Sequence, residues 1–193
     1  MFGIFRKKKT PGTLTLTLNA RLQPAHRGEL EDAFDQIADE NKLGARVVGG
    51  GTALSPAGEV ENCDIEIALD DCTREAAEHI AGIFAAMLAP KGSCLHLPDG
   101  AGRIPFGAHE GLALYLNGTD LPEEVYASCD SNHVYDECIR LLDGAGMVNS
   151  HWQGPTETAL YMYGRSFDEM QARIAGFLAD YPLCRDCRVV RIA

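Results

Sequence analysis

The sequence lacks any long apolar run. No stretch approaches the roughly 20 apolar residues that a helix needs to cross a bilayer. The apolar part of the start, MFGIFRKKKTPG, is too short for a signal peptide, and its basic residues follow the apolar ones instead of preceding them. We therefore expect a cytoplasmic protein with no membrane partner, in which residues 1–11 form a basic N-terminal tail.

Basic residues are scarce as well. The chain has 17 Lys and Arg against 28 Asp and Glu, which gives a net charge of −11. Residues 12–98 carry 6 basic and 14 acidic side chains, and residues 109–193 carry 6 and 13. Because acid on both halves repels phosphate backbones, nucleic acid is not the expected partner, and a basic protein suits the charge better.

The motifs of metal and cofactor sites are incomplete. Cys184 and Cys187 form one C-x-x-C, but no second such pair or C-x-x-H supplies the other ligands of a zinc site. If the segment is extended, the two sulfurs diverge, so we expect neither a disulfide nor zinc there. The glycine-rich GGGT at 49–52 lacks the lysine and helix start of a phosphate loop, which favours a β-bulge. The sequence therefore predicts no cofactor and no metal.

What the sequence does contain is a repeated pattern. TLTLTL at 13–18 alternates as a half-buried strand does, and a helical stripe with Leu30, Phe34 and Ile37 follows. Two strands flank the hairpin signal Ser-Pro-Ala-Gly, a second helix starts at Thr73, and SCLHLP forms a short fourth strand. The order is βαββαβ, and residues 109–193 repeat it, with a capping box at Ser166 and Glu169.

This order predicts the fold class. We expect an α+β protein of two tandem ferredoxin-like βαββαβ repeats with antiparallel sheets. Repeat 1 spans 12–98, a Gly/Pro-rich linker spans 99–108, and repeat 2 spans 109–193. Repeat 2 also has an insertion at 119–131, which includes TDLPEEVYASCD. Loops added to a fixed scaffold often contain binding residues.

Three tyrosines are predicted to share the helix-free face of the second sheet. Alternation along GLALYLNG and ETALYMYG turns Tyr115, Tyr161 and Tyr163 away from the leucines of the core. RNA-recognition domains stack bases at these positions, but the Lys/Arg-Gly-aromatic lead of that motif is missing here. Two interpretations stay open. In the first, the tyrosine face is buried against repeat 1 and its hydroxyls bond to Thr, Asp64 or Glu66. In the second, the face is a site for a protein partner.

Further candidates lie around the insertion. Tyr126 and Trp152 would extend a binding surface. The acid–base candidates are Asp130, His133, His151 and Glu157, although their spacing matches no standard ligand pattern and Asp130 more simply caps a helix.

The segments VVGGGTALSPAGEVENCDIEIALDD, HEGLALYLNG and GPTETALYMYG, together with the end YPLCRDCRVVRIA, resemble a family of small bacterial proteins whose function is not characterised. Compact acidic chains of this kind are similar in style to immunity proteins that neutralise toxins. The resemblance implies a stand-alone protein and assigns no functional residue.

Three functions remain open at this point. The first is a non-enzymatic protein that binds a protein partner, such as an immunity-type inhibitor of a toxin. The second is a small-molecule or metal-dependent enzyme with its site near residues 119–133 and His151. The third is a protein that binds a small ligand between the two sheets. The sequence leaves the oligomeric state undecided, so a homo-oligomer stays among the expectations.

Overall fold

The computed structural model describes residues 9–193, so residues 1–8 of the predicted tail lie outside the described residues. Repeat 1 contains β1 (Gly12–Leu18), α1 (Pro24–Glu40), β2 (Ala45–Leu54), β3 (Val60–Leu69), α2 (Arg74–Ala86), β4 (Ser93–His96) and β5 (Arg103–Phe106). Repeat 2 contains β6 (Glu110–Asn117), α3 (Glu123–Ser128), α4 (Ser131–Leu141), β7 (Gly146–Gln153), β8 (Glu157–Gly164), α5 (Phe167–Asp180) and β9 (Arg188–Arg191).

The two sheets confirm the predicted fold class. The strand order is β2-β3-β1-β4-β5 in the first sheet and β7-β8-β6-β9 in the second, and all paired strands within them are antiparallel. Apart from β5, the two orders are equivalent, as expected for two ferredoxin-like units. None of the helices in residues 9–193 is long and apolar enough to span a membrane.

Each sheet buries its leucine face under helices. In β1, Leu14, Leu16 and Leu18 are buried while the threonines between them are partly exposed. Phe34 of α1 stacks on Phe84 of α2 above this face, with ring centroids 4.9 Å apart. The apolar period of each helix therefore matches the strand alternation beneath it, which is why these segments fold as the sequence predicts.

Two segments differ from the expectation. The predicted linker 99–108 contains β5, which pairs with β4 and extends the first sheet by one strand. Ile104 and Phe106 explain this, because they alternate with polar or proline positions and pack on the core of repeat 1. The insertion forms the short helix α3, with Val125 buried.

A bulge lies in β2 immediately before the glycine run, next to the position that the sequence predicts. The register between β2 and β3 shifts between Val47 and Gly49. Gly50 lies so close to β3 that an added Cβ would be 2.6 Å from the backbone oxygen of Asp64. Glycine is therefore required there by close approach of the two strands and not by a ligand.

Candidate functional site

The predicted tyrosine face is buried inside the chain. Tyr115, Tyr161 and Tyr163 are 6%, 0% and 2% exposed, and they belong to the same buried cluster as the core of repeat 1. Trp152 is half-buried and packs against the same cluster. These rings therefore form part of the intramolecular core that joins the two repeats.

One carboxylate of repeat 1 holds the tyrosine hydroxyls. Glu59 Oε1 accepts hydrogen bonds from the hydroxyls of Tyr115 at 2.5 Å and Tyr161 at 2.7 Å, and it is also paired with the guanidinium of Arg21. The backbone N–H of Arg21 donates to the hydroxyl of Tyr163 at 2.8 Å. We call these five residues the tyrosine lock. The expected partners Asp64 and Glu66 are not used, because the tyrosine face packs on the end of repeat 1 where β3 begins, and not on the open face of the first sheet.

The electrostatics of the tyrosine lock favour one protonation state. Burial, together with the hydrogen bond to Glu59, raises the pKa of Tyr115 to about 12 and also raises the pKa of Tyr161. Burial alone would raise the pKa of Glu59, but the hydrogen bonds from the two tyrosines and the charge of Arg21 outweigh it, so that pKa is lowered. A carboxylate held by neutral phenols has no proton to exchange near neutral pH, so the lock is a structural contact.

A second polar contact joins the repeats at the start of β6. Glu110 pairs with Lys91 of repeat 1 at 2.7 Å and with Arg191 at 2.8 Å, and it accepts a hydrogen bond from the backbone N–H of Phe167 at 2.7 Å. The hydrogen bond from Lys91 and that from Phe167 lower the pKa of Glu110 to about 2. The carboxylate therefore orients the first turn of α5 relative to repeat 1.

Three adjoining cavities form a groove from the junction of the repeats to the insertion. The cleft cavity, about 510 Å³, lies between the repeats, the middle cavity of about 370 Å³ shares His26 and Tyr135 with it, and the insertion cavity is about 200 Å³. The middle and insertion cavities share Leu116, Ser131 and Thr158. We call the three together the inter-repeat groove.

Most residues that line the cleft cavity are apolar, they come from both repeats, and polar atoms share the surface of the cavity with them. Repeat 1 contributes Leu22, Leu30 and Phe84, and repeat 2 contributes Met147 and Val148. Two wall residues remain unusually exposed for large apolar side chains, since Leu88 is 37% and Met147 46% exposed. A depression of about 780 Å³ at the far end of the first sheet is larger, but four exposed charged residues line it.

Several polar side chains also line the cleft cavity. They are His26, Glu29, Tyr135 and Asn149, and Tyr163 lies beside them. His26 is held in place, because its Nδ1 lies 3.1 Å from Ser150 Oγ. The side-chain oxygen of Asn149 is buried, and no donor in residues 9–193 bonds to it. An apolar cavity with a small number of converging polar groups is typical of small-molecule sites.

The other two cavities contain predicted candidates from the insertion. His151 lines the middle cavity with its ring centroid 5.8 Å from that of His26, and Ser131 and Asn132 of α4 lie in the same wall. Tyr126 and Cys129 line the insertion cavity. The hydroxyl of Tyr126 accepts from the backbone N–H of Leu121 at 3.0 Å, so this ring also fixes the loop.

The four acid–base candidates have separate roles. Asp130 caps α4 by accepting a hydrogen bond from the N–H of Asn132 at 2.8 Å. The ring of His133 packs edge-on against the rings of Phe177 and Tyr181, with centroids 5.7 and 5.0 Å apart. Glu157 pairs with Arg188 through both carboxylate oxygens, at 2.8–3.0 Å. Only His151 lines the groove, so the structure does not bring the four together.

The C-x-x-C segment forms a turn and is not extended. The N–H of Cys187 donates to the carbonyl of Cys184 at 3.2 Å, and Asp186 between them has φ +58°. Cys184 is buried, and burial raises the pKa of its thiol to about 12. Residues 9–193 contain no group of three His, Cys, Asp or Glu side chains that could hold a metal ion.

Sequence reasoning missed the residues that matter most at the junction. Arg21 and Glu59 lie in loops or at a strand start, 38 positions apart. His26, Glu29 and Asn149 look like ordinary polar positions of a helix and a strand. The signal in the sequence was the polar run from Asn149 to His151 in β7, and a bulge there cannot be recognised without knowing how β7 pairs with β8.

No protein-family model matches the chain, and no curated protein matches it. Among solved structures, the first two RRM domains of the yeast poly(U) binding protein Pub1 are similar at 13% identity, with a TM-score of 0.26, over 94% of this chain and 99% of that one. The regulatory subunit of aspartate kinase from Thermus thermophilus is similar at 12% identity and a TM-score of 0.27, over 86% and 95%. Likenesses this remote carry no argument about function.

Proposed function

We propose that this protein is a non-enzymatic binding protein that takes a small, largely apolar ligand in the cleft cavity. The observation that carries the proposal is the cavity itself, about 510 Å³ and lined mostly by apolar residues from both repeats. Sites for small molecules typically measure about 300–1,000 Å³ and often lie where two domains meet. Here the tyrosine lock and Glu110 hold the two walls at a fixed separation, so the site is formed before a ligand arrives.

The polar residues of the chain support binding over catalysis. Asp130, His133 and Glu157 already contact structural partners. A general acid or base must lie within hydrogen-bond reach of the proton that it transfers to or from a bound substrate. Of the four acid–base candidates from the sequence, only His151 lines the groove, and most residues around the cleft cavity are apolar. This arrangement is better suited to hold a ligand than to transform it.

A protein partner is the second candidate for the same site. Leu88 and Met147 line the cleft and are 37% and 46% exposed. Exposed apolar side chains beside a cavity suit an inserted side chain of another protein. Such a partner, expected to be basic because the chain is acidic, would compete with a small ligand for the cleft.

A neutral apolar fluorophore tests the proposal. We expect N-phenyl-1-naphthylamine to bind with a rise in fluorescence and to raise the melting temperature, because ligands of the native state stabilise it. Ala33 lies in α1 and lines the cleft. An Ala33→Phe variant fills part of the cavity and should lose the probe.

The matched control is Ala172→Phe, which places the same ring on the exposed side of α5. It should bind the probe as the unmodified protein does. Equal binding to both variants would mean that the probe binds elsewhere. If no probe binds to the unmodified protein, the cleft is not a site for apolar ligands and the proposed function is wrong.

A further inference from the structure

Ser150 of β7 has a buried hydroxyl at the junction of the repeats, where it is 2% exposed. The backbone N–H of Gln23, next to the first turn of α1, donates to its Oγ at 3.2 Å, and His26 Nδ1 lies 3.1 Å from the same oxygen. Among residues 9–193, His26 Nδ1 is the one acceptor within reach of the hydroxyl proton. Because a buried donor without a partner costs free energy, the hydroxyl donates to His26.

This hydrogen bond fixes the tautomer of His26. A neutral imidazole has one donor and one acceptor nitrogen, so an Nδ1 that accepts leaves the proton on Nε2. His26 Nε2 has no hydrogen-bond partner among residues 9–193, and it is accessible to solvent. His26 lines both the cleft and the middle cavity. The groove therefore contains an open N–H donor that is held in place from behind.

Tyr135 provides a second donor at the same boundary. It is the other residue that lines both the cleft and the middle cavity. Its hydroxyl also has no hydrogen-bond partner among residues 9–193 and is accessible to solvent. Most residues around the cleft cavity are apolar, whereas the middle cavity has several polar side chains. The two donors thus lie where an apolar part of the groove meets a polar part.

The charge around the groove decides between acceptors. No Lys or Arg lines the cleft or the middle cavity, and the whole chain carries a net charge of −11. This charge repels carboxylate and phosphate groups, so an acceptor without charge is favoured. A carbonyl oxygen is such an acceptor. It has two lone pairs for two donors, and a ketone or ester brings no donor of its own that would need a partner.

We infer that the groove recognises a neutral carbonyl compound, a ketone or an ester, whose oxygen accepts hydrogen bonds from His26 Nε2 and the hydroxyl of Tyr135. This inference rests on the proposed function and specifies the chemistry of its ligand. The apolar part of the ligand packs in the cleft cavity against Leu22 and Phe84. Ser150 is a positioning residue, because it holds His26 in the tautomer that donates.

Two neutral naphthalene fluorophores test the role of the carbonyl. Prodan has a ketone on its ring, and its emission moves to longer wavelength when the ketone oxygen accepts a hydrogen bond. N-phenyl-1-naphthylamine has no carbonyl. His26→Phe should weaken Prodan about fivefold, as expected for the loss of one neutral hydrogen bond, and should move the emission of bound Prodan to shorter wavelength. The affinity for N-phenyl-1-naphthylamine should stay nearly unchanged.

Three further variants assign the effect to residues. Tyr135→Phe removes only a hydroxyl and should also weaken Prodan selectively. The matched control is His79→Phe, which replaces an exposed histidine of α2 outside the groove and should leave both fluorophores unaffected. The tautomer is measured by ¹⁵N NMR of the imidazole nitrogens at a pH where the ring is neutral. We expect the proton of His26 on Nε2, and a mixture of tautomers in Ser150→Ala.

The outcomes separate the inference from the proposed function. If His26→Phe weakens both fluorophores alike, or leaves the emission of bound Prodan unchanged, the carbonyl assignment is wrong and the apolar site remains. A proton on His26 Nδ1 would overturn the assignment as well, because the groove would then lack this donor. If neither fluorophore binds to the unmodified protein, the inference and the proposed function both fail.

The unmodified protein gives a test that does not depend on the folding of His26→Phe. Bound Prodan should emit at longer wavelength than Prodan in an aprotic solvent, because the groove donates to its ketone. Emission at the aprotic wavelength would mean that no donor reaches the carbonyl, and the inference would be wrong.

Discussion

At the scale of single residues, Glu59 determines how the two repeats meet. One of its oxygens accepts from Tyr115 and Tyr161 and pairs with Arg21. A half-buried carboxylate is costly unless it is paired and hydrogen-bonded, so a docking geometry that brings both tyrosine hydroxyls of repeat 2 to the Glu59–Arg21 pair of repeat 1 is favoured. Apolar packing would hold the repeats together, but the lock specifies one arrangement.

Substitutions at Tyr161 separate the ring from the hydroxyl. Tyr161→Ala should lower the free energy of unfolding by about 3–5 kcal/mol, as other large aromatic-to-alanine changes in cores do. Tyr161→Phe keeps the ring and removes one donor to a charged acceptor, which should cost about 1–3 kcal/mol. Urea denaturation of both variants measures these losses, and a fully stable Tyr161→Phe would mean that the hydroxyl contributes no net stability.

Local sequence patterns predicted the three tyrosines of the tyrosine lock but not their partners. Alternation along β6 and β8 is enough to place the three tyrosines on one face, because the period of a strand is 2. Their partners Arg21 and Glu59 lie 94 and 56 positions from Tyr115. No local pattern links residues at such distances, so the partners could not be predicted from the sequence.

At the scale of elements, the connection from β5 to β6 brings the repeats into close backbone contact. The N–H groups of Ala108 and His109 both bond to the carbonyl of Ala89, and Lys91 donates back to His109. Gly107 has φ +88°, and an added Cβ would lie 2.1 Å from the carbonyl oxygen of Pro90. A side chain at this position is excluded both by the backbone conformation and by space.

Two glycine variants distinguish these two effects. Gly100 also has a positive φ, +70°, but nothing lies within 4 Å of a Cβ added there. Gly100→Ala should cost about 1–2 kcal/mol of stability from the left-handed conformation alone. Gly107→Ala should cost at least about 3 kcal/mol, because rigid backbone must also move. If denaturant unfolding shows equal losses of unfolding free energy in the two variants, the backbone at Pro90 moves away from the added Cβ at no cost.

Element prediction failed where a short segment had the composition of a linker. Most helices and strands of both repeats follow from stripes and alternation over 7 or more residues, as in β1 and α2, and the four-residue strands β4 and β9 follow from their place in the repeated order. β5 has only four residues, including Pro105, and its glycine-rich flanks suggested a linker. Proline is accepted there because β5 is an edge strand of the sheet.

At the scale of the whole molecule, the two repeats share one core. The buried cluster of repeat 1 includes Ala113, Ala159 and the tyrosines of repeat 2, while the helix-side core of repeat 2 forms a second cluster. The tyrosine face packs on the end of repeat 1, and Thr13, Glu66 and His96 on the open face of the first sheet stay exposed. The sequence predicts two units but not this docking, because the relative position of two units has no local pattern.

A shared core implies that the repeats unfold together, and slowly exchanging amides of α5 can report this because α5 packs on the helix-side core of repeat 2 through Ile174. Ile80 is buried in the core of repeat 1, and Ile80→Val should remove about 0.5–1.5 kcal/mol of stability. If unfolding is cooperative, the opening free energy of the α5 amides from hydrogen exchange should fall as much as the unfolding free energy from far-ultraviolet circular dichroism in urea. If the repeats unfold independently, the opening free energy of these amides should not change. The α5 amides would then report the stability of repeat 2 alone, and the tyrosine lock would be too weak to couple the repeats or to hold the two walls of the cleft cavity at a fixed separation.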